Sequence, residues 1–286
     1  MHPWFVTGLI DGEGCFNISI SSSFKKSKIG WVVQARFIIE LHIKDLALLC
    51  KLKSFFGGIG TITTTKKLAR YSIVGLNDII NYVLPHFSNF PLQSVKIIDF
   101  LLWKECVIIM ANKGHLTLKG LKNIFYFKSA INRGLSDDLK SIFPDLNFGV
   151  RPIYKISSKS LHPLWISGFV TGEGSFHVSI NSINQVFPVF SIGLLIKDQL
   201  LLEKIQEYFS FGRVYLSGNT AQIKIFKLVD LLSIINHFNS YPLEGFKLYN
   251  YNLWVEILKL ISSKLHLSQE GLSKILSLKE QLNKWD

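Results

Sequence analysis

The sequence predicts an α+β fold built from two copies of one unit, each running helix, two strands, helix, two strands, helix (αββαββα). Two observations carry that prediction. Trp4-Phe5-Val6-Thr7-Gly8-Leu9-Ile10-Asp11-Gly12-Glu13-Gly14-Cys15-Phe16 returns 160 positions later as Leu164-Trp165-Ile166-Ser167-Gly168-Phe169-Val170-Thr171-Gly172-Glu173-Gly174-Ser175-Phe176, and self-similarity at domain spacing marks a duplicated architecture. After each copy, apolar and polar residues alternate with the period of half-buried strands.

The elements follow in order. A helix covers 4–12, entered through His2-Pro3; its counterpart is entered through His162-Pro163, and proline belongs at a helix's first turn. Strands are predicted over 16–20 and 34–41, where Gln34, Arg36 and Glu40 share one face and Ala35, Phe37, Ile39 and Leu41 the other. A helix over 45–56 and strands over 61–66 and 70–74 come next. Short helices from Asn77 and from Gln93 close the first unit, and their counterparts begin near Leu228 and Glu244. The repeat persists through them: His86-Phe87-Ser88-Asn89-Phe90-Pro91-Leu92 answers His237-Phe238-Asn239-Ser240-Tyr241-Pro242-Leu243, Trp103 answers Trp254, and Gly120-Leu121 answers Gly271-Leu272.

Asp45 lies 32 residues beyond Glu13 but Asp198 only 25 beyond Glu173, so the first unit carries a longer connection. Its surplus falls in Ser21-Ser22-Ser23-Phe24-Lys25-Lys26-Ser27-Lys28, which reads as an extended basic hairpin. Between the repeats, 135–160 holds Pro144, Gly149, Pro152 and a serine cluster without clear periodicity, the pattern of a linker. The expected division is therefore a first repeat over 1–134, a linker over 135–160 and a second repeat over 161–286.

Composition narrows the function. Lys and Arg outnumber Asp and Glu by 32 to 20, giving a net charge of +12 and a pI near 9.5, a balance that favours a polyanionic partner. Hydrophobic content is 48% and mean hydropathy +0.27, yet apolar stretches such as 107–111 and 228–235 are short or interrupted, below the roughly 18 residues that cross a bilayer. No membrane association and no signal peptide are expected. Cys15, Cys50 and Cys106 form no C-x-x-C pair, so neither a zinc site nor a disulfide framework is readable and a reducing compartment fits. Gly57-Gly58-Ile59-Gly60 leads into a strand and no phosphate-cradling loop motif occurs, so no nucleotide cofactor is expected.

Chemistry concentrates at the repeated helix. Gly8 and Gly12, like Gly168 and Gly172, are four apart and strip side chains from one helical face. Two such faces could pack at short range. Beyond each pair stands a carboxylate, Glu13 or Glu173, at the helix C-terminus, where the dipole is already negative. Packing the helices together would add repulsion between the acids. A cation resolves both conflicts, and carboxylate with carbonyl oxygens suits Mg2+. Asp11 has no acidic counterpart, since Thr171 occupies that place in the second copy, which makes it a structural residue before a catalytic one.

These residues resemble the LAGLIDADG homing endonucleases in their single-chain, two-repeat form. Val6-Thr7-Gly8-Leu9-Ile10-Asp11-Gly12-Glu13-Gly14 reads on the nine-residue signature, and Ile166-Ser167-Gly168-Phe169-Val170-Thr171-Gly172-Glu173-Gly174 is a diverged second copy. The resemblance implies a monomer with two pseudo-twofold-related units, motif helices at their interface, and antiparallel sheets forming a saddle over the DNA major groove. It implies metal ligation by Glu13 and Glu173 with the carbonyls of Gly12 and Gly172. It places a catalytic basic residue at Lys96 and at Lys247, which follow Pro91-Leu92 and Pro242-Leu243 at equal distance.

The strand pattern agrees with such a surface. Asn17, Ser19, Ser21 and Ser23 with Gln34 and Arg36, then Thr61, Thr63, Thr65 and Arg70, offer groups suited to base edges in the first unit. His177, Ser179 and Asn181 with Arg213, Tyr215, Ser217, Gln222 and Lys224 do so in the second. Any antiparallel sheet with one wet face alternates as well; the weight lies in both units sharing the bias. Glu40 answers Gly193 and receives no catalytic role. The expected activity is metal-dependent hydrolysis of one phosphodiester on each strand of a long, asymmetric duplex, by an intron-encoded or free-standing enzyme. An abundance of Ile, Phe, Asn, Lys and Leu points to an AT-rich genome, and the resemblance then implies an organelle, a fungal mitochondrion. Two rivals share the scaffold: an RNA maturase acting on host intron RNA, and a non-catalytic DNA-binding regulator.

Overall fold

The computed structural model of the chain describes residues 1–23, 25, 29–143 and 148–284. The chain divides into two compact units, one of Met1 with Glu13–Ser157 and the other of His2–Gly12 with Ser158–Asp286.

The first unit follows directly from α1 (Pro3–Glu13) with β1 (Gly14–Ser22), β2 (Trp31–His42), α2 (Leu46–Phe55), β3 (Thr61–Thr64) and β4 (Leu68–Ile73). The strands form one antiparallel sheet in the order β1-β2-β4-β3. A helical segment then runs as α3 (Leu76–Asp78), a π-helical stretch Ile79–Val83, and α4 (Leu84–Asn89). The interruption has a local cause, because Pro85 has no N–H to give to a preceding turn and its ring crowds that turn's carbonyl. The corresponding helix of the second unit lacks a proline and is continuous. Helices α5 (Lys96–Ala111), α6 (Leu118–Ser129) and α7 (Asp137–Ile142) complete the unit.

The second unit repeats the plan with α8 (Pro163–Glu173), β5 (Gly174–Ile180), β6 (Val186–Leu195), α9 (Gln199–Phe209), β7 (Arg213–Ser217), β8 (Thr220–Ile225), α10 (Leu228–Ser240), α11 (Gly245–Ser262) and α12 (Gln269–Gln281). Its sheet order, β5-β6-β8-β7, is that of the first. Each unit gains a helix beyond those expected, α6 or α12, and the first also carries α7 within the segment expected as linker. Helices α6 and α12 are capped alike: the hydroxyls of Thr117 and Ser268 accept the N–H of Gly120 and Gly271 at 3.1 Å, which satisfies an otherwise orphaned helix donor.

Equivalent aromatic residues build the two cores. Phe16, Phe37, Phe87, Phe100 and Trp103 cluster in the first unit, with Phe16 5.2 Å from Phe87, Phe100 and Trp103. Phe176, Phe190, Phe238, Tyr251 and Trp254 take the same places in the second, with Phe176 5.1 Å from Phe190 and Trp254. Both tryptophans are fully buried, so truncating either to alanine removes on the order of 3–5 kcal/mol.

The units differ from the expected division at two places. Helix α1 groups with the second unit, because its glycine face packs on α8. Residues 148–157, expected as linker, belong with the first unit: Arg151 forms a bidentate pair with Asp99, at 2.6 and 3.0 Å, and the Tyr154 hydroxyl donates to the Gln93 carbonyl. Part of the expected hairpin, Phe24 and 26–28, lies outside the described residues, as does Pro144.

Candidate nucleic-acid interface and active site

Strand register fixes which side chains share the outward face of the first sheet. Asn17 stands opposite Arg36 and Ser19 opposite Gln34. Glu40 stands opposite Arg70, which stands opposite Thr63; Ser72 stands opposite Thr61. Two arginines there are held by neighbours. Arg36 Nε donates to Gln34 Oε1 at 2.8 Å, and Arg70 donates to Glu40 Oε2 at 2.6 Å with its side chain still 54% exposed. Ser72, 3.3 Å from Thr61 across the ladder, was not flagged by the sequence reading; its place beside Arg70 on an alternating strand was the available signal. Thr65 lies beyond β3, where its hydroxyl accepts the N–H groups of Lys67 and Leu68 and closes the turn. Ser21 ends the row on β1, and Ser23 follows it, its N–H bonded to the Gly30 carbonyl.

On the outward face of the second sheet, His177 pairs with Val189 and Ser179 with Phe187, while Gln222 pairs with Gly193 and Tyr215. Arg213 and Lys224 lie 5.4 and 5.7 Å from the Tyr215 ring centre, close enough for cation–π attraction. Ser217 sits at the far end of β7. Burial, reinforced by the charge of Lys224, holds the His177 imidazole below its usual pKa. Asn181 is not on the strand face. Its Oδ1 accepts from the N–H of Gln185 at 2.8 Å and its amide donates to the Gln185 side chain at 2.9 Å, shaping the hairpin turn.

The repeated helices begin alike. His2 and His162 each accept, through Nδ1, the N–H two residues on, at 3.2 and 3.1 Å. They pack through glycine: a Cβ on Gly8 would meet the Trp165 carbonyl oxygen at 2.0 Å, and one on Gly168 the Phe5 carbonyl oxygen at 2.0 Å. Asp11 is buried, with Oδ2 accepting from Trp165 Nε1 at 2.8 Å, a contact that ties α1 to α8. Thr171, its counterpart, donates to the Ser167 carbonyl.

At the C-terminal ends the carboxylates are half-buried. The Glu173 side chain lies against Gly12, where a Cβ would stand 3.1 Å from Glu173 Cγ and 3.6 Å from Oε1. Glu13 is the next residue of the chain. Both helices pass into strands with no intervening loop, at Gly14 and Gly174, and a Cβ at Gly174 would sit 2.7 Å from the Val170 carbonyl oxygen. Lys247 Nζ donates to the Gly174 carbonyl. In the first unit, burial raises the Cys15 thiol pKa while the charge of Lys96 lowers it. Each lysine therefore stands beside the strand that leaves its motif helix. No group of three or more His, Cys, Asp or Glu side chains gathers among the described residues; the oxygen donors at this place are carboxylates and helix-terminal carbonyls.

His86 and His237 sit among aromatic rings, and burial lowers each to a pKa of about 4. Trp103 donates Nε1 to the Asn17 carbonyl at 3.1 Å. These are core residues.

Comparison with known proteins places this geometry. The model of the family described as LAGLIDADG endonuclease matches residues 6–107 and 166–258. Probable intron-encoded endonuclease 3 of Neurospora crassa is 41% identical over 286 residues, covering 96% of this chain, and the chain spans 53% of that relative's own length. Among solved structures, I-SmaMI bound to an uncleaved DNA target in the presence of calcium ions superposes with a TM-score of 0.94 at 34% identity, covering 99% of each chain. I-GzeII in complex with its DNA target gives 0.94 at 32% identity, covering 100% of this chain and 99% of that one. Two matched repeats, the shared αββ order and the duplicated glycine-glutamate helix end lead to one conclusion: the chain belongs to the LAGLIDADG endonuclease family.

Proposed function

We propose that this protein is a site-specific homing endonuclease that makes a metal-dependent double-strand break in a long, asymmetric duplex. One observation carries the proposal: the Glu173 side chain rests against Gly12, the residue before Glu13. Two acids at helix C-termini are electrostatically costly unless a cation joins them. The donor set fits Mg2+, a hard ion that takes one or two carboxylates and completes its shell with water and phosphate oxygens. Glu13 and Glu173, with the carbonyls of Gly12 and Gly172, would hold it. Bound there, the metal supplies stabilisation of the attacking and leaving oxygens of a displacement at phosphorus.

Lys96 and Lys247 add fixed positive charge near the scissile groups. The outward sheet faces supply phosphate and base contacts. The calcium and DNA in the I-SmaMI structure support use of a divalent ion and a duplex partner. One chain carries both copies of the motif, which supports a monomer as the active form. The intron-encoded relative supports an intron-borne gene, which we place in an organelle, a mitochondrion.

The test compares wild type with Glu13→Gln, Glu173→Gln and Asp11→Asn on one selected duplex, with Mg2+ and with EDTA. Either glutamine variant should lose double-strand cleavage and keep binding, because the shape survives and the charge does not. Asp11→Asn should keep most cleavage, since its amide oxygen can still accept from Trp165. Wild-type cleavage by Glu173→Gln sinks the proposal. Binding should fall steeply with salt as several phosphates are neutralised; equal affinity for structured RNA would favour the maturase instead.

A further inference from the structure

The two sheets place different chemistry at the same two positions. Opposite Ser19 and Asn17, the first sheet carries Gln34 and Arg36. At the equivalent places opposite Ser179 and His177, the second carries Phe187 and Val189. The next outward position but one repeats the contrast, with Glu40 holding Arg70 in the first sheet and Gly193 opposite Gln222 in the second. Phe187 is 46% exposed and Val189 half-buried. Both line a depression shared with His177, Ser179, Lys224 and Phe226. The first face is not free of apolar groups, since Val32 and Ile38 also point outward, but its two central positions are polar.

An exposed phenylalanine on a face meant for a polyanion is unfavourable unless it meets an apolar partner. The major groove offers one such group, the C5-methyl of thymine. Arg36, held through Nε by Gln34, presents its remaining donors in the fork that matches guanine O6 and N7. We propose that the second sheet reads thymine methyl groups through Phe187 and Val189, whereas the first reads guanine acceptors through Arg36 at the equivalent place. The proposal rests on the sheet faces lying against duplex DNA, as in the function proposed above.

The experiment starts by selecting bound duplexes from a random library, then replaces thymine by uracil in one half-site at a time. Uracil keeps every Watson–Crick group and lacks only the methyl. The half-site read by each sheet is identified as the one whose base preference changes in Arg36→Met or in Phe187→Ser. Wild-type protein should lose about fourfold in affinity per methyl removed from the second-sheet half-site, the value of one buried carbon. It should tolerate uracil at the equivalent positions of the other half. Phe187→Ser should bind thymine and uracil targets equally. Equal wild-type binding of both targets overturns the proposal without touching the endonuclease reading, as does a methyl preference confined to the first-sheet half. If no duplex enriches at all, the DNA-binding reading fails and this inference falls with it.

Discussion

Gly8 and Gly168 hold reciprocal places, each with its Cα against the backbone of the other's helix. The nearest atoms to an added Cβ are carbonyl oxygens at 2.0 Å and amide nitrogens at 2.8 and 2.9 Å. No side-chain rotation relieves such contacts; only separation of the helices does.

Gly8→Ala or Gly168→Ala should therefore lower stability by at least about 3 kcal/mol, the upper end of ordinary overpacking. Gly193→Ala, whose Cβ would meet only the Gln222 side chain at 3.9 Å, should stay within about 0.5 kcal/mol of wild type. Urea unfolding midpoints at constant m-value check both. Indistinguishable midpoints for Gly8→Ala and Gly193→Ala would contradict the packing.

Asp99 accepts the N–H of Asn132 at 2.8 Å as well as the Arg151 guanidinium, which also donates to the Ala130 carbonyl at 2.9 Å. In the second unit Asn250 takes the place of Asp99 and accepts the N–H of Asn283 at 3.0 Å. Arg151→Ala leaves a carboxylate whose side chain is only 9% exposed, and should cost roughly 2–3 kcal/mol, less than a fully buried pair because Arg151 stays partly solvated. Adding Asp99→Asn should recover most of that loss by recreating the neutral arrangement of the second unit. A double variant no more stable than Arg151→Ala would show that the guanidinium's carbonyl contacts, and not charge pairing, hold the segment.

His86 and His237 make stability fall with acid in a defined window. Each has a folded pKa of about 4 against an ordinary 6.5, so between those values the unfolded chain binds protons that the native chain does not. Their contribution is complete above pH 6.5 and diminishes as pH falls towards 4. Unfolding free energy measured at pH 7 and pH 5 should drop for wild type, and drop less for His86→Phe with His237→Phe. Equal drops would place the proton uptake elsewhere.

Much of this was legible because it repeats or alternates. The duplicated Gly-x-x-x-Gly-Glu helix end, the His-Pro entries and the polar rows on β1, β2 and β8 are local patterns, set by helical and strand periods that any chain must obey. The glutamates could be singled out because a carboxylate at a helix C-terminus is a conflict visible without coordinates. Asn181 and Thr65 were not separable from the strand rows, since a turn residue and a strand residue differ only in where pairing stops. Strand β6 was opaque for another reason. Val186-Phe187-Pro188-Val189-Phe190 is apolar on both faces, so alternation has no contrast to read, and only pairing with Ser179 and His177 shows that Phe187 and Val189 point outward. Nor could sequence assign α1 to the second unit, because an apolar, glycine-notched helix states that it will be covered without stating by what. Tertiary structure decided those points because they depend on which surfaces meet, and contacts between residues distant in the chain leave no period in the sequence.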